Sequence, residues 1–340
     1  MALTAKRPED LFEYGDIDDI KAAYRRLASA HHPDKGGDAA DFQLVKNLYE
    51  AALKKIESGE PWDDGASVSW SISGSKFNMK YNFARPFEIG TMYSSRERVM
   101  FLLSESFADL GGESKKLMDS NRANPGPVGN ERLRETNRWI LPEPFPNLPA
   151  AISGSKTCIM LRKEKDIHPL RSVMDATGGQ IPPVHAAWMI GRLMHVLCYL
   201  EWRGVVHGDI SVDNFFVHLS NHSMHLYGGW WYSRPAGAKL LALPNRSIRL
   251  SPPHIIKKKV ADKKLDWELA RHTAVEILGA ASPTELRMRK DVPANLTDFL
   301  SSPFTAPTAI ELYKQWESAR DAAFGARKFV TFETPANLYN

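Results

Sequence analysis

Cysteine is almost absent: two residues, Cys158 and Cys198, in a chain of 340. Two thiols make neither a disulfide framework nor a metal-ligand spacing, which points to a reducing compartment. A long uninterrupted apolar run is missing as well. The most apolar stretch, Trp188 to Leu200, is broken by Arg192 and His195, which excludes a bilayer-spanning segment there. The N-terminal residues Met1 to Asp10 have no apolar leader core, and with these absences the expectation is a cytoplasmic protein. No dominant excess of one charge exists: the net charge is +4. Residues 1–60 hold nine Lys/Arg against twelve Asp/Glu, and the other 280 hold 35 against 28. This mild, dispersed basicity does not argue for nucleic acid, and Lys257-Lys258-Lys259 with Lys263-Lys264 reads as a solvated face. Hydrophobic content of 43% and charged content of 25% describe an ordinary globular protein long enough for two domains.

What is present begins with helical periodicity. Ile17, Ile20, Tyr24 and Leu27 recur at three- and four-residue steps, as do Phe42, Val45, Tyr49, Ala52 and Ile56. Lys21 and Arg25 are four apart and share a solvated face. Between the two runs lie His32-Pro33-Asp34 and Lys35-Gly36-Gly37-Asp38, so the pattern predicts two antiparallel helices joined by a short loop. Residues 59–68 are polar with Gly and Pro and read as a linker. Strand-like pieces follow: Trp70 to Ile72, Phe87 to Ile89, Thr91 to Tyr93, Arg98 to Leu103 and Lys156 to Leu161. A short helix is expected at 109–120, and the stretch 121–150, with six prolines, reads as irregular. From Ile181 the chain turns helical, with Pro182 and Pro183 suited to a helix start and Gly204 to its end. Strands first and helices later is the order of an α+β region.

Two resemblances rest on these residues. The hairpin with its His-Pro-Asp loop resembles a J-domain of the DnaJ (Hsp40) family, the module that docks on Hsp70 chaperones and triggers their ATP hydrolysis. The resemblance implies that His32, Pro33 and Asp34 are the trigger, and that Lys21, Arg25 and Arg26 meet an acidic surface on the Hsp70. Clustered cations are suited to steering such an encounter. The segment His207-Gly208-Asp209, with Asn214 five residues after the Asp, is similar to the catalytic loop of protein-kinase-like folds, and the His-Gly form to aminoglycoside and small-molecule kinases. In that family the Asp orients or deprotonates the acceptor hydroxyl and the Asn holds a metal ion. Ser251-Pro252-Pro253-His254 resembles the end of an activation segment. Asp266, at the start of the next large helix, corresponds to the residue that braces the catalytic loop.

Departures from that pattern are as informative. Leu226-Tyr227-Gly228-Gly229-Trp230-Trp231 stands where the family has its metal-chelating Asp-Phe-Gly. Leu102 lies near the expected place of the phosphate-pairing Lys. No phosphate-cradling loop is evident, and Glu113 would be the carboxylate that normally pairs with the missing Lys. The Trp230-Trp231 pair is expected to pack into the space that metal and phosphates would fill. The resulting expectation is an α-helical J-domain (1–58), a linker (59–68) and a kinase-like α+β domain (69–335). Its strand-rich lobe would cover about 69–165 and its helical lobe about 166–335. The function expected is that of an Hsp70 co-chaperone, with a degenerate, pseudokinase-like domain recruiting a client or partner protein; no cofactor, nucleic acid or membrane is implied. Two alternatives stay open. One is an active atypical kinase using Mg-ATP, with Asp209, Asn214 and Asp213 in the site; the other is a scaffold component with an unrelated C-terminal fold.

Overall fold

A computed structural model describes residues 3, 5–12, 17–58, 66–72, 75–95, 97–112, 151–153, 156–164, 166–335 and 338. Its class is the one expected, a helical hairpin followed by an α+β region. Helix α1 (Ile17–Ala30) and helix α2 (Ala39–Glu57) are joined through a 3-10 turn at Pro33–Lys35. Asp38 caps α2 by accepting the amides of Ala40 at 2.8 Å and Asp41 at 3.1 Å. The hairpin core is Phe12, Ile20, Leu27, Val45, Leu48 and Ala52, with Tyr24 stacked on Tyr49 at 4.0 Å. Ile17, expected on the buried face, is the first residue of α1 and remains 37% exposed, while Phe12 is wholly buried against the hairpin. Leu27→Ala removes a side chain with almost no solvent contact and should cost about 2–5 kcal/mol. Hydrogen-exchange protection across 17–58 measures it, and unchanged protection would contradict this packing.

Strands β1 (Ala66–Ile72) and β2 (Ser75–Tyr81) form an antiparallel hairpin, and β1 starts inside the stretch read as linker. A five-stranded antiparallel sheet has the order β3-β4-β5-β7-β6, from β3 (Phe83–Phe87), β4 (Gly90–Ser94), β5 (Arg98–Leu103), β6 (Ala151–Ser153) and β7 (Lys156–Arg162). Glu88 and Ile89, expected in a strand with Phe87, instead turn the chain from β3 into β4. The sheet is covered on both faces, which explains the nearly continuous apolar run of β5. Val99, Phe101 and Leu103 join the large core, while Met100 and Leu102 pack with Trp70, Met79, Cys158 and Met160. Residues 108–112 are helical; the rest of the helix expected at 109–120, Glu113 with it, and the stretch 121–150 lie outside the described residues.

The helical part starts with β8 (Ile167–Pro169) and α3 (Leu170–Ala176), a helix the periodicity did not reveal. Helix α4 (Pro183–Arg203) carries Pro182 as its cap, and Gly204, at φ 63°, ends it in the left-handed conformation that glycine adopts without strain. Beyond it come β9 (Val205–Val206), β10 (Phe215–His218), β11 (Ser223–Leu226) and β12 (Arg234–Pro235). Six further helices follow: α5 (Asn245–Leu250), α6 (Pro253–Lys258), α7 (Lys263–Ile277), α8 (Pro283–Met288), α9 (Ala294–Ser301) and α10 (Ala309–Phe324). No helix among the described residues is long and apolar enough to cross a membrane.

Lys257, Lys258 and Lys259 are solvated as expected. Lys263 instead pairs with Glu201 at 2.7 Å, and Lys264 lies 4.0 Å above the Trp267 ring. Cys158 and Cys198 are buried free thiols, and burial pushes each up to about 12. Because only the thiolate attacks, a disulfide reagent at pH 8 should titrate no thiol in the native protein and two after denaturation. Fast native labelling would show that these strands and helices open.

Candidate functional sites

At the hairpin tip the loop geometry follows from one side chain. The Nδ1 atom of His32 accepts the Asp34 amide at 3.2 Å and so caps the 3-10 turn. Its ring stands edge-on to Phe42 of α2, 5.0 Å between centroids, which fixes the imidazole against the hairpin. Pro33 and Asp34 are thereby held outward, the Asp34 side chain 89% exposed. Lys35 is tethered back by its ammonium to the Ser29 hydroxyl at 2.6 Å. Behind the loop, Asp41 is buried, accepting the Leu3 amide at 2.9 Å and lying 3.7 Å from His31. On α1, Lys21, Arg25 and Arg26 are all exposed. Lys21 is 3.9 Å from Asp18, a solvated pair of small energy. The structure thus gives a rigid, outward-facing Pro-Asp tip and an exposed basic face on the preceding helix.

The second site lies where β9 leads into the loop His207-Gly208-Asp209. Asp266, in the first turn of α7 and 2% exposed, accepts the His207 amide at 2.7 Å and the Gly208 amide at 2.8 Å. Nδ1 of His207 accepts the Asp209 amide at 3.2 Å, the same local turn as at His32. Its Nε2 then carries the proton and donates to the Gly228 carbonyl at 3.1 Å. Burial pushes His207 down to about 3, so the ring is neutral. Asn214 donates its amide to both the backbone and side-chain oxygens of Asp209, 2.8 Å each. Burial pushes Asp209 up to about 6, with the Asn214 bond opposing.

Asp213 lines the same cleft as this pair, with its carboxylate held by cations. Its carboxylate takes Arg171 in two contacts, 3.0 and 3.2 Å, with Arg85 at 3.4 Å. Burial alone would raise Asp213, but these cations outweigh it and hold the carboxyl below its usual range. Arg171 also binds Glu276, which Arg246 meets at 3.4 Å. This network joins five segments distant in sequence, and no local motif announced it.

Above Asp209 and Asn214 is a cleft of about 210 Å³. Its roof is aromatic: Trp231 stacks on Phe87 at 5.0 Å and tilts against Phe101 at 5.1 Å. The β5 side chain facing the cleft is therefore Phe101; Leu102, taken from the sequence as the position of interest, points to the opposite face of the sheet. Trp230 and Trp231 are both buried, the packing role expected of them, and the Trp230 indole donates to the Leu226 carbonyl at 2.8 Å. Gly228 has no room for a side chain, since a Cβ there would lie 2.2 Å from the Asn214 amide oxygen. Among the described residues no group of three or more His, Cys, Asp or Glu is placed to hold a metal ion. Besides Asp209 and Asn214, the cleft is lined by the polar side chains of Arg85, Glu88, Ser211, Asp213 and Arg246.

No family model matches the chain. Parts of it are similar to curated proteins. It is 31% identical over 80 residues to the small t antigen of B-lymphotropic polyomavirus, covering 20% of this chain and 42% of that protein. It is 33% identical over 112 residues to DnaJ homolog subfamily A member 4 of Homo sapiens, covering 29% of this chain and 27% of that protein. The chain spans less than half the length of either relative.

Proposed function

We propose that residues 1–58 form a J-type module that binds an Hsp70 chaperone and stimulates its ATPase, while residues 69–335 form a kinase-like domain that recruits a client or partner. The observation that carries this reading is the His32-capped turn, which presents Pro33 and Asp34 to solvent on a fixed hairpin. The similarity of part of the chain to a DnaJ homolog supports it. In this reading the Hsp70 meets the tip and the exposed face of Lys21, Arg25 and Arg26 together.

The basic face supplies a test. Lys21→Ala with Arg25→Ala should weaken Hsp70 binding several-fold, mainly by slowing association, and added salt should weaken the wild type in the same way because exposed charges are screened. Stopped-flow association at two ionic strengths measures both. Rates indifferent to salt and to the double substitution would remove the basic face from the account.

Support for lost phosphoryl transfer comes from the two arginines that engage the Asp213 carboxylate and from the cleft volume, which falls below the roughly 300–1,000 Å³ usual for small-molecule pockets. One observation favours the active-kinase alternative: Asp209, with a pKa near 6, is suited to proton transfer at neutral pH. Thermal unfolding with and without Mg-ATP separates the readings, since a clear stabilisation lost in Asp209→Ala favours the enzyme.

A further inference from the structure

A second concavity, of about 620 Å³, lies between α4, α10 and the segment that follows α10. Ten large hydrophobic residues are exposed among the described residues, and four of them line this one groove: Val184, Phe324, Phe329 and Val330, the most open being Phe329 at 65%. Its cationic lining is Arg192, Arg320, Arg327 and Lys328, with no carboxylate among the lining residues. Two of these cations are already paired: Arg320 with Asp321 at 2.6 Å and Glu317 at 3.9 Å, and Arg327 with Glu317. Lys328 has no ion-pair partner among the described residues. The Trp188 indole N–H, buried at the wall, has no acceptor there either. Apolar side chains left in water and rimmed by polar groups, with one unpaired cation among them, mark an interaction surface.

The segment forming one wall is anchored. His222 is sandwiched between Trp188, 4.5 Å away, and Phe329, 4.2 Å away, and its Nε2–H donates to the Val330 carbonyl at 2.9 Å. His185 stacks on Phe332 at 4.4 Å. The groove is thus a built feature with fixed walls. From Val184 to His195 its floor runs eleven residues along α4, about 16 Å at 1.5 Å per residue, which matches about five residues of extended chain. That length suits a peptide better than a small anion.

We infer that this groove docks an acidic peptide segment carrying aromatic or large aliphatic side chains. Its apolar residues would lie over Val184, Phe324 and Phe329, and a carboxylate would meet Lys328. This assignment is independent of the hairpin reading, because α1 and α2 contribute nothing to the groove.

The test uses the full chain and a fluorescein-labelled ten-residue peptide of alternating Asp and Phe, followed by fluorescence anisotropy. Saturable binding is expected, weakened about tenfold by Lys328→Glu and similarly by Phe324→Ser, both at exposed positions outside the stack of Trp188, His222 and Phe329. Lys257→Glu, an exposed lysine elsewhere, should leave binding unchanged. Equal binding of a Lys-Phe peptide, or Lys328→Glu binding as tightly as wild type, would overturn the inference. So would displacement of the peptide by naphthalene-2-sulfonate alone at equal concentration, which would make the groove a small-anion site.

Discussion

Asp266→Ala should destabilise the region beyond the hairpin by about 2–4 kcal/mol while leaving residues 17–58 folded. The carboxylate is 2% exposed and accepts two backbone amides, from His207 and Gly208. Removing it orphans both, and a buried unpaired donor costs about 1–3 kcal/mol. Part of that loss is offset, because burial pushes Asp266 up to about 7, so its ionised form is itself disfavoured near neutrality. The offset makes the effect depend on pH. Unfolded, Asp266 releases its proton near its ordinary value of about 4; folded, it holds it to about 7. Between those values the native state binds more protons, so wild-type stability attributable to this group falls as pH rises. The advantage of wild type over Asp266→Ala should therefore be larger at pH 5 than at pH 8. All nine tryptophans lie after residue 58, so urea unfolding followed by tryptophan fluorescence reports on this region without the hairpin. An equal gap at both pH values would contradict the raised carboxyl, and no gap would contradict the brace.

The legible parts of this structure are those set by local chemistry. The 3.6-residue period gave α1 and α2, the Pro182-Pro183 start and Gly204 stop gave α4, and the apolar run Arg98 to Leu103 coincides with β5. The bracing position of Asp266 was readable only through resemblance, because residues 266–270 resemble the start of the large helix in kinase-like folds. What failed was set by tertiary contacts. Along β5, successive side chains face opposite sides, so an offset of one residue exchanges Leu102 for Phe101 and changes which of them lines the cleft. Glu88 and Ile89 look like strand by composition, yet the β3–β4 pairing needs a reversal there. Helix α3 is seven residues long with no side-chain cap, too short for periodicity to show. Asp213 stands one residue from Asn214 and looked available as a ligand. Arg171 lies 42 residues away in sequence, and only the fold brings it to that carboxylate. The groove beside α4 was equally invisible, because its walls come from α4, His222 and residues 320–330.

His32→Gln should abolish stimulation of Hsp70 ATP hydrolysis while leaving the hairpin folded. The imidazole does two things at the tip: Nδ1 holds the Asp34 amide, and the ring packs edge-on with Phe42. Glutamine can offer an acceptor, but it lacks the flat ring that locks the turn against α2, and its flexible side chain must be ordered to replace the bond. Pro33 and Asp34 then lose their fixed presentation. His32 is outside the hairpin core, so thermal unfolding should shift only slightly. The most direct measurement is the steady-state ATPase rate of a DnaK-type Hsp70 titrated with the full chain, wild type against His32→Gln. The account predicts a saturable acceleration by wild type and none by the variant. Equal acceleration by both, or none by wild type, would contradict the assignment of a J-type trigger to this hairpin.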